Sequence, residues 1–287
     1  MASAQSSDVQ KVKPRQARAA SAPRKALGDS HQRSGRDDTA PSTTTSSRCA
    51  MSAPSTAASD ADEADFALSE DLVTSPLHKP KATRSVDFDG LLTPPLLLHE
   101  DLAKGNGGQA WPAGMILTRY ILRKKQLEMR AASSIVELGA GGGLVGLAVA
   151  ISCRPAAVVH ITDMNAMHDL MQQNIALNAL ADRVKAIVYD WGAATPEGIP
   201  QHPDVVLAAD CVYFEPAFPL LQHTLHDLIG PNTVCYFCFK RRRRADMHFL
   251  KAAKRQFLVQ DVLDDPDHQN YARENIFLCT IRQKADR

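Results

Sequence analysis

Long hydrophobic runs are missing from these 287 residues, and so is an excess of charge of either sign. Lysine and arginine number 33 against 32 aspartates and glutamates, for a net charge of +1. A chain so balanced offers no whole-molecule attraction to nucleic acid or to an anionic membrane. No apolar stretch reaches the ~20 residues of a membrane span, and the N-terminus has no hydrophobic signal core. Six cysteines, at 49, 153, 211, 235, 238 and 279, lack the spacing of a secreted disulfide scaffold. They read as reduced thiols of an intracellular protein. Cys235 and Cys238 are spaced C-x-x-C, but they fall in the strand-like segment TVCYFCFK, where residues three apart point to opposite faces. That removes a zinc or redox pair, and no metal is expected.

Large apolar side chains are also scarce over residues 1–80, which are rich in Ser, Ala, Thr and Pro. Such a segment buries too little surface to offset the entropy of ordering, so it is expected to be a disordered low-complexity tail. Its Arg- and Ser-rich start faintly suggests a transit peptide, but Asp8, Asp29, Asp37 and Asp38 interrupt it. Order is expected from about Ser85, giving one domain over 85–287.

What is present centres on Ser133 to Ile151, SSIVELGAGGGLVGLAVAI. Ile135, Val136 and Leu138 suit a strand buried on both faces, and glycines at 139, 141, 142, 143 and 146 then carry the chain into a helix. Such a turn presents bare backbone at a helix N-terminus, where a nucleotide can sit. Its G-x-G-x-G spacing departs from the dinucleotide fingerprint. Glu137, two residues before the first glycine, would repel a pyrophosphate but accept hydrogen bonds from a cationic ligand. A glycine-rich turn that only packs a helix on a strand remains the plainer alternative.

The rest of the chain supplies the same kind of end point repeatedly. VVHITD ends in Asp163, about twenty residues beyond the turn, where nucleotide-binding sheets place a ribose-binding carboxylate. VKAIVYD runs into Asp190 and Trp191, and DVVLAAD ends at Asp210 with Tyr213 three residues later. Trp111 precedes a helix opened by Pro112, whose apolar positions 115, 116, 120 and 121 recur at helical spacing. VDFDGLLTPPLLLHEDL suggests one or two edge strands framing the domain. Each residue also has an ordinary reading: Trp111 as core, Asp210 as a helix cap, Tyr213 as a packed ring. The basic run Lys240 to Arg244 reads first as a solvated face, with docking on an acidic partner or RNA as the alternative.

Alternating strands and helices over 135–240 predict a doubly wound parallel sheet, and the two closing strands would insert one antiparallel strand. With VELGAGGGLVGLAVA, Asp163, Asp190-Trp191 and the AD-x-VY block of Ala209 to Tyr213, the chain resembles the class I, seven-strand protein-lysine methyltransferases grouped as family 16. LLLHEDL, GGQAWPAG, LAADCVYFEPAFPLL, KRRRRADMHFLK and RENIFL are similar to the fungal branch that methylates translation elongation factor 1-alpha. The resemblance implies a Rossmann-like α/β sheet and S-adenosyl-L-methionine as cofactor. It implies cofactor contacts at Trp111, Gly139, Ala140, Gly141, Asp163, Trp191 and Ala209, joined by Glu137 and Asp190 from their places at strand ends, with Asp210 and Tyr213 catalytic at the substrate mouth. It further implies a protein substrate, and the enzyme is expected to be monomeric and cytoplasmic. One departure is Gly141-Gly142-Gly143 where many relatives carry a hydroxyl residue in the middle. A methyltransferase for RNA or a small molecule, a non-catalytic module of the same fold and a nicotinamide oxidoreductase are the competing classes.

Overall fold

The computed structural model describes residues 81–285, so the expected disordered tail lies outside the described residues. Two antiparallel strands open it, β1 (Ala82–Val86) and β2 (Leu96–Glu100). Helix α1 (Pro112–Tyr120) follows with proline in its first turn and continues through a π turn, Ile121–Lys125, into α2 (Gln126–Ala131). Then come β3 (Ile135–Leu138), α3 (Leu144–Ser152), β4 (Val159–Asp163), α4 (Asn165–Leu177), β5 (Val184–Val188) and β6 (Val205–Ala209). The chain closes with α5 (Phe218–Leu228), β7 (Val234–Lys240), α6 (Arg244–Gln256), β8 (Phe257–Asp261), α7 (His268–Arg273) and β9 (Ile276–Gln283).

Seven strands form one sheet in the order β5-β4-β3-β6-β7-β9-β8. Only β9 runs against its neighbours, pairing antiparallel with both β7 and β8. This is the expected seven-strand arrangement with one inserted antiparallel strand. The order reverses between β3 and its two parallel partners, β4 and β6, which opens a crevice at the strands' carboxyl ends.

The period of two along each strand divides the core. Ile135, Ile161, Leu207, Tyr236 and Cys238 pack with α1, α3 and α4 on one face of the sheet. Val136, Leu138, Val206, Cys235 and Phe237 pack with α5 and α6 on the other. Cys235 and Cys238 are buried in opposite layers, as residues three apart on a strand must be.

The opening strands are not the edge of this sheet. They form a separate ribbon, and β2 is fastened to α4 by two side-chain amides that act as a neighbouring strand would. Asn178 bonds the N–H and C=O of Leu97 at 2.9 and 2.7 Å, and Asn174 bonds those of His99 at 2.7 and 3.1 Å. Asn174 also donates to the Gly142 carbonyl at 2.9 Å, so one buried amide joins the ribbon, the helix and the glycine turn. Ordered strand begins at Ala82, three residues ahead of the expected start, because β1 is needed to pair with β2.

Candidate active site

The turn after β3 is built around conformations that favour glycine. Gly139 and Gly141 have φ of +60° and +55°, the left-handed region. A Cβ at Gly139 would lie 2.9 Å from the Trp191 ring, and one at Gly141 would lie 2.5 Å from the Gly107 carbonyl oxygen. Bare backbone at these positions therefore lets Trp191 close from one side and the 105–108 loop from the other.

The turn offers α3 no side-chain cap, and Glu137 supplies one from the preceding strand. Its Oε2 accepts from the Gly146 amide, in the first turn of α3, at 2.8 Å, satisfying a donor that the helix leaves unpaired. Glu137 is 2 % exposed, and burial pushes its carboxyl up to about 8, against the pull of the Gly146 and Val145 amides. Asp163, at the tip of β4, accepts from Gly141 N and Met164 N, each at 2.7 Å. Burial raises its pKa as well. Among the described residues, no lysine or arginine pairs with either carboxylate.

Both acids face one cavity of about 450 Å³ over the carboxyl ends of β3, β4 and β6, a size suited to a small-molecule ligand. Trp111, Glu137, Gly139, Ala140, Gly141, Asp163, Trp191, Ala209, Asp210 and Tyr213 all contribute to its wall. Asp190 does not: it is exposed and outside the lining, and reaches the site only as a nearby negative charge on Asp163. Trp111 stands at the N-cap of α1, with its indole N–H donating to the Asn106 carbonyl at 2.7 Å. The same bond ties down the 105–108 loop.

At the mouth, Asp210 takes φ of +55° just past β6. Arg242 grips its carboxylate with both guanidinium nitrogens, at 3.0 and 3.2 Å, and the Lys240 amide donates to it at 3.1 Å. The Arg242 guanidinium also lies 5.3 Å from the centre of the Trp111 ring, within cation–π range. Tyr213 is 43 % exposed beside them, which rules out a fully packed ring. Arg243 donates to the Tyr213 carbonyl and pairs with Asp246 at the start of α6.

The basic run is thus not simply a solvated face. Arg242 lines the cavity and Arg243 holds the backbone of Tyr213 beside it, and Arg242 is the main site residue missed by sequence reasoning. Its only local signal was position: it follows the sheet's fifth parallel-side strand end, adjacent in space to β6. The ribbon's His99 and Glu100, Met164 and Met167 also line the cavity without a motif to mark them. Among the described residues, no group of three or more His, Cys, Asp or Glu could hold a metal ion, and no helix is long and apolar enough to cross a membrane.

A doubly wound sheet with one reversed strand, a glycine turn at its switch point and acids on the neighbouring strand tips defines a class I methyltransferase. The family model described as lysine methyltransferase matches residues 92–256, and the chain belongs to that family: it is a protein-lysine N-methyltransferase. Protein-lysine N-methyltransferase EFM6 of Saccharomyces cerevisiae is 35% identical over 223 residues, 69% of this chain and 90% of that protein. EEF1A lysine methyltransferase 3 of Mus musculus is 31% identical over 184 residues, 63% of this chain and 75% of that one. A T. thermophilus 16S rRNA methyltransferase, solved with AdoMet and guanosine, aligns with a TM-score of 0.51 at 17% identity. It covers 73% of this chain and 52% of that one, and at that identity it speaks for the fold alone.

Proposed function

We propose that this enzyme transfers methyl groups from S-adenosyl-L-methionine to a lysine of translation elongation factor 1-alpha, acting as a monomer in the cytoplasm. The observation that carries the cofactor reading is the pair of carboxylates, buried Glu137 and half-buried Asp163, facing one cavity with no basic side chain paired to either among the described residues. Burial alone disfavours two such charges, and a cationic ligand compensates them, whereas a pyrophosphate would add repulsion. The residues present therefore fit a sulfonium- and ammonium-bearing cofactor better than a dinucleotide.

In this reading Glu137, Trp111 and the Gly139-Ala140-Gly141 backbone hold the methionyl end, Asp163 the ribose hydroxyls, and Trp191 the adenine, with Ala209 shaping the floor. Asp190 is outside the wall and would act only through its charge. When bound, the cofactor supplies an electrophilic methyl on a positively charged sulfur. The protein's own task is alignment: Asp210 and Tyr213 orient the incoming nitrogen, and the cavity wall excludes water. That nitrogen must be a neutral amine, although free lysine has a pKa of about 10.4.

The substrate follows from the chain's likeness to EEF1A lysine methyltransferase 3. Purified elongation factor 1-alpha, incubated with this protein and S-adenosyl-L-methionine, should gain methyl-lysine by mass spectrometry. Cofactor binding without any methylated peptide would overturn the substrate. A melting temperature raised by NAD and not by S-adenosyl-L-methionine would overturn the cofactor. The catalytic unit is proposed to begin with β1 at Ala82, a few residues ahead of the expected 85, so removal of residues 1–80 should leave activity on the purified substrate unchanged.

A further inference from the structure

Asp210 poses an electrostatic difficulty for the reaction. A carboxylate at the mouth helps to draw in a lysine side chain, but an opposite charge within about 4–6 Å favours the ammonium form, raising its pKa by roughly one to three units. An ammonium has no lone pair with which to attack. The structure places a counter-charge there: Arg242 spans both Asp210 oxygens at 3.0 and 3.2 Å and rests on the face of Trp111. Arginine holds its charge at every working pH. We propose that Arg242 is a positioning residue that cancels the charge of Asp210 at the mouth, so that the target lysine is held there as a neutral amine after losing its proton to solvent.

The neighbouring groups leave this task to Arg242. Glu137 and Asp163, which line the same cavity, answer to the cofactor's own positive charges in the proposed reading. From α6, Asp246 is engaged by Arg243. From β7, Lys240 reaches Asp210 through its backbone amide. Burial pushes the thiols of Cys211 and Cys238 and the Tyr213 hydroxyl up, so none of the three adds a charge at neutral pH. The pair is also local in space yet distant in sequence, because β6 and β7 run parallel and end side by side.

The inference rests on the proposed lysine-transfer reading, and its test separates the two. Single-turnover methylation of elongation factor 1-alpha is followed from neutral pH to about pH 10 for the full-length wild type, Arg242→Gln and Arg242→Lys. In wild type the rate should rise through the ionisation of the bound lysine. Arg242→Gln should move that ionisation upward by about one to two units, with activity recovering in alkali and affinity for S-adenosyl-L-methionine retained. Arg242→Lys should restore most of the wild-type profile. An Arg242→Gln profile that is lowered equally at every pH, or unshifted, overturns the proposal. No methylation by wild type at any pH overturns the underlying reading instead. Should Arg242→Gln fail to fold, Asp210→Asn is compared with Asp210→Asn/Arg242→Gln. The lone arginine of the single variant should place the lysine ionisation about one unit lower than in the double, and equal values would refute the idea.

Discussion

Glu137 is bonded to Gly146 at 2.8 Å, so strand β3 and the first turn of α3 are fastened by a carboxyl group that also faces the cavity. A Cβ on Gly146 would stand 2.7 Å from that oxygen and 2.4 Å from the Ile161 side chain. The glycine is thus required by packing against β3 and β4 rather than by backbone conformation. Gly146→Ala should cost about 1–3 kcal/mol, as overpacking does, and urea unfolding would read it directly.

The raised pKa of Glu137 gives stability a pH dependence of known sign. Its folded value, about 8, lies above its ordinary value of 4.5, so the folded state holds a proton that the unfolded chain releases. The contribution is complete below about pH 4.5 and is lost as pH rises towards 8, at up to ~1.4 kcal/mol per pH unit. Glu137→Gln should flatten this slope in the difference between the two unfolding curves. A difference that does not change between pH 5 and pH 8 would refute the assignment of the slope to Glu137.

Glu137 should also link protons to cofactor binding. A cationic ligand favours its ionised form, so affinity for S-adenosyl-L-methionine should rise with pH up to about 8. Calorimetry in buffers of different ionisation heat should detect proton release on binding below that pH, and Glu137→Gln should abolish most of it.

Asp210 and the cofactor acids are separable by mutation. Asn tolerates the left-handed backbone at 210, so Asp210→Asn should keep the fold and bind S-adenosyl-L-methionine about as tightly as wild type. Its turnover should fall about 100-fold, because the amine is no longer aligned. An equal loss of both by calorimetry and kinetics would show that Asp210 serves the cofactor instead.

Asn174 carries bonds to His99 and Gly142 from a fully buried position. Asn174→Leu removes the amide and leaves those backbone groups unsatisfied, at a cost of about 3 kcal/mol. Cofactor affinity should weaken in the same variant, since the ribbon and the glycine turn lose their common tether. A variant with normal affinity would separate the ribbon from the site.

Much of this protein was written locally. Ile135 to Leu138 had to be a buried strand because nothing in the run is polar on either face except Glu137. The glycines at 139 and 141 had to be a turn because of what only glycine backbone tolerates. The acids at 163 and 210 announced themselves as strand ends, and TVCYFCFK showed that Cys235 and Cys238 part company across a sheet. These are consequences of period, burial and backbone sterics, which act within a few residues. What no local rule contains is who meets whom at the edge of the sheet. Asp190 looked equivalent to Asp163 but turns to solvent, and the segment before Trp111 became a ribbon latched by Asn174 and Asn178 instead of an edge strand. Arg242 met Asp210 and Trp111 from a run indistinguishable from an ordinary solvated face. Those choices were made by register and by the parallel order of β6 and β7, which bring together side chains 32 residues apart. Charge pairing across such a distance is a property of the packed chain alone.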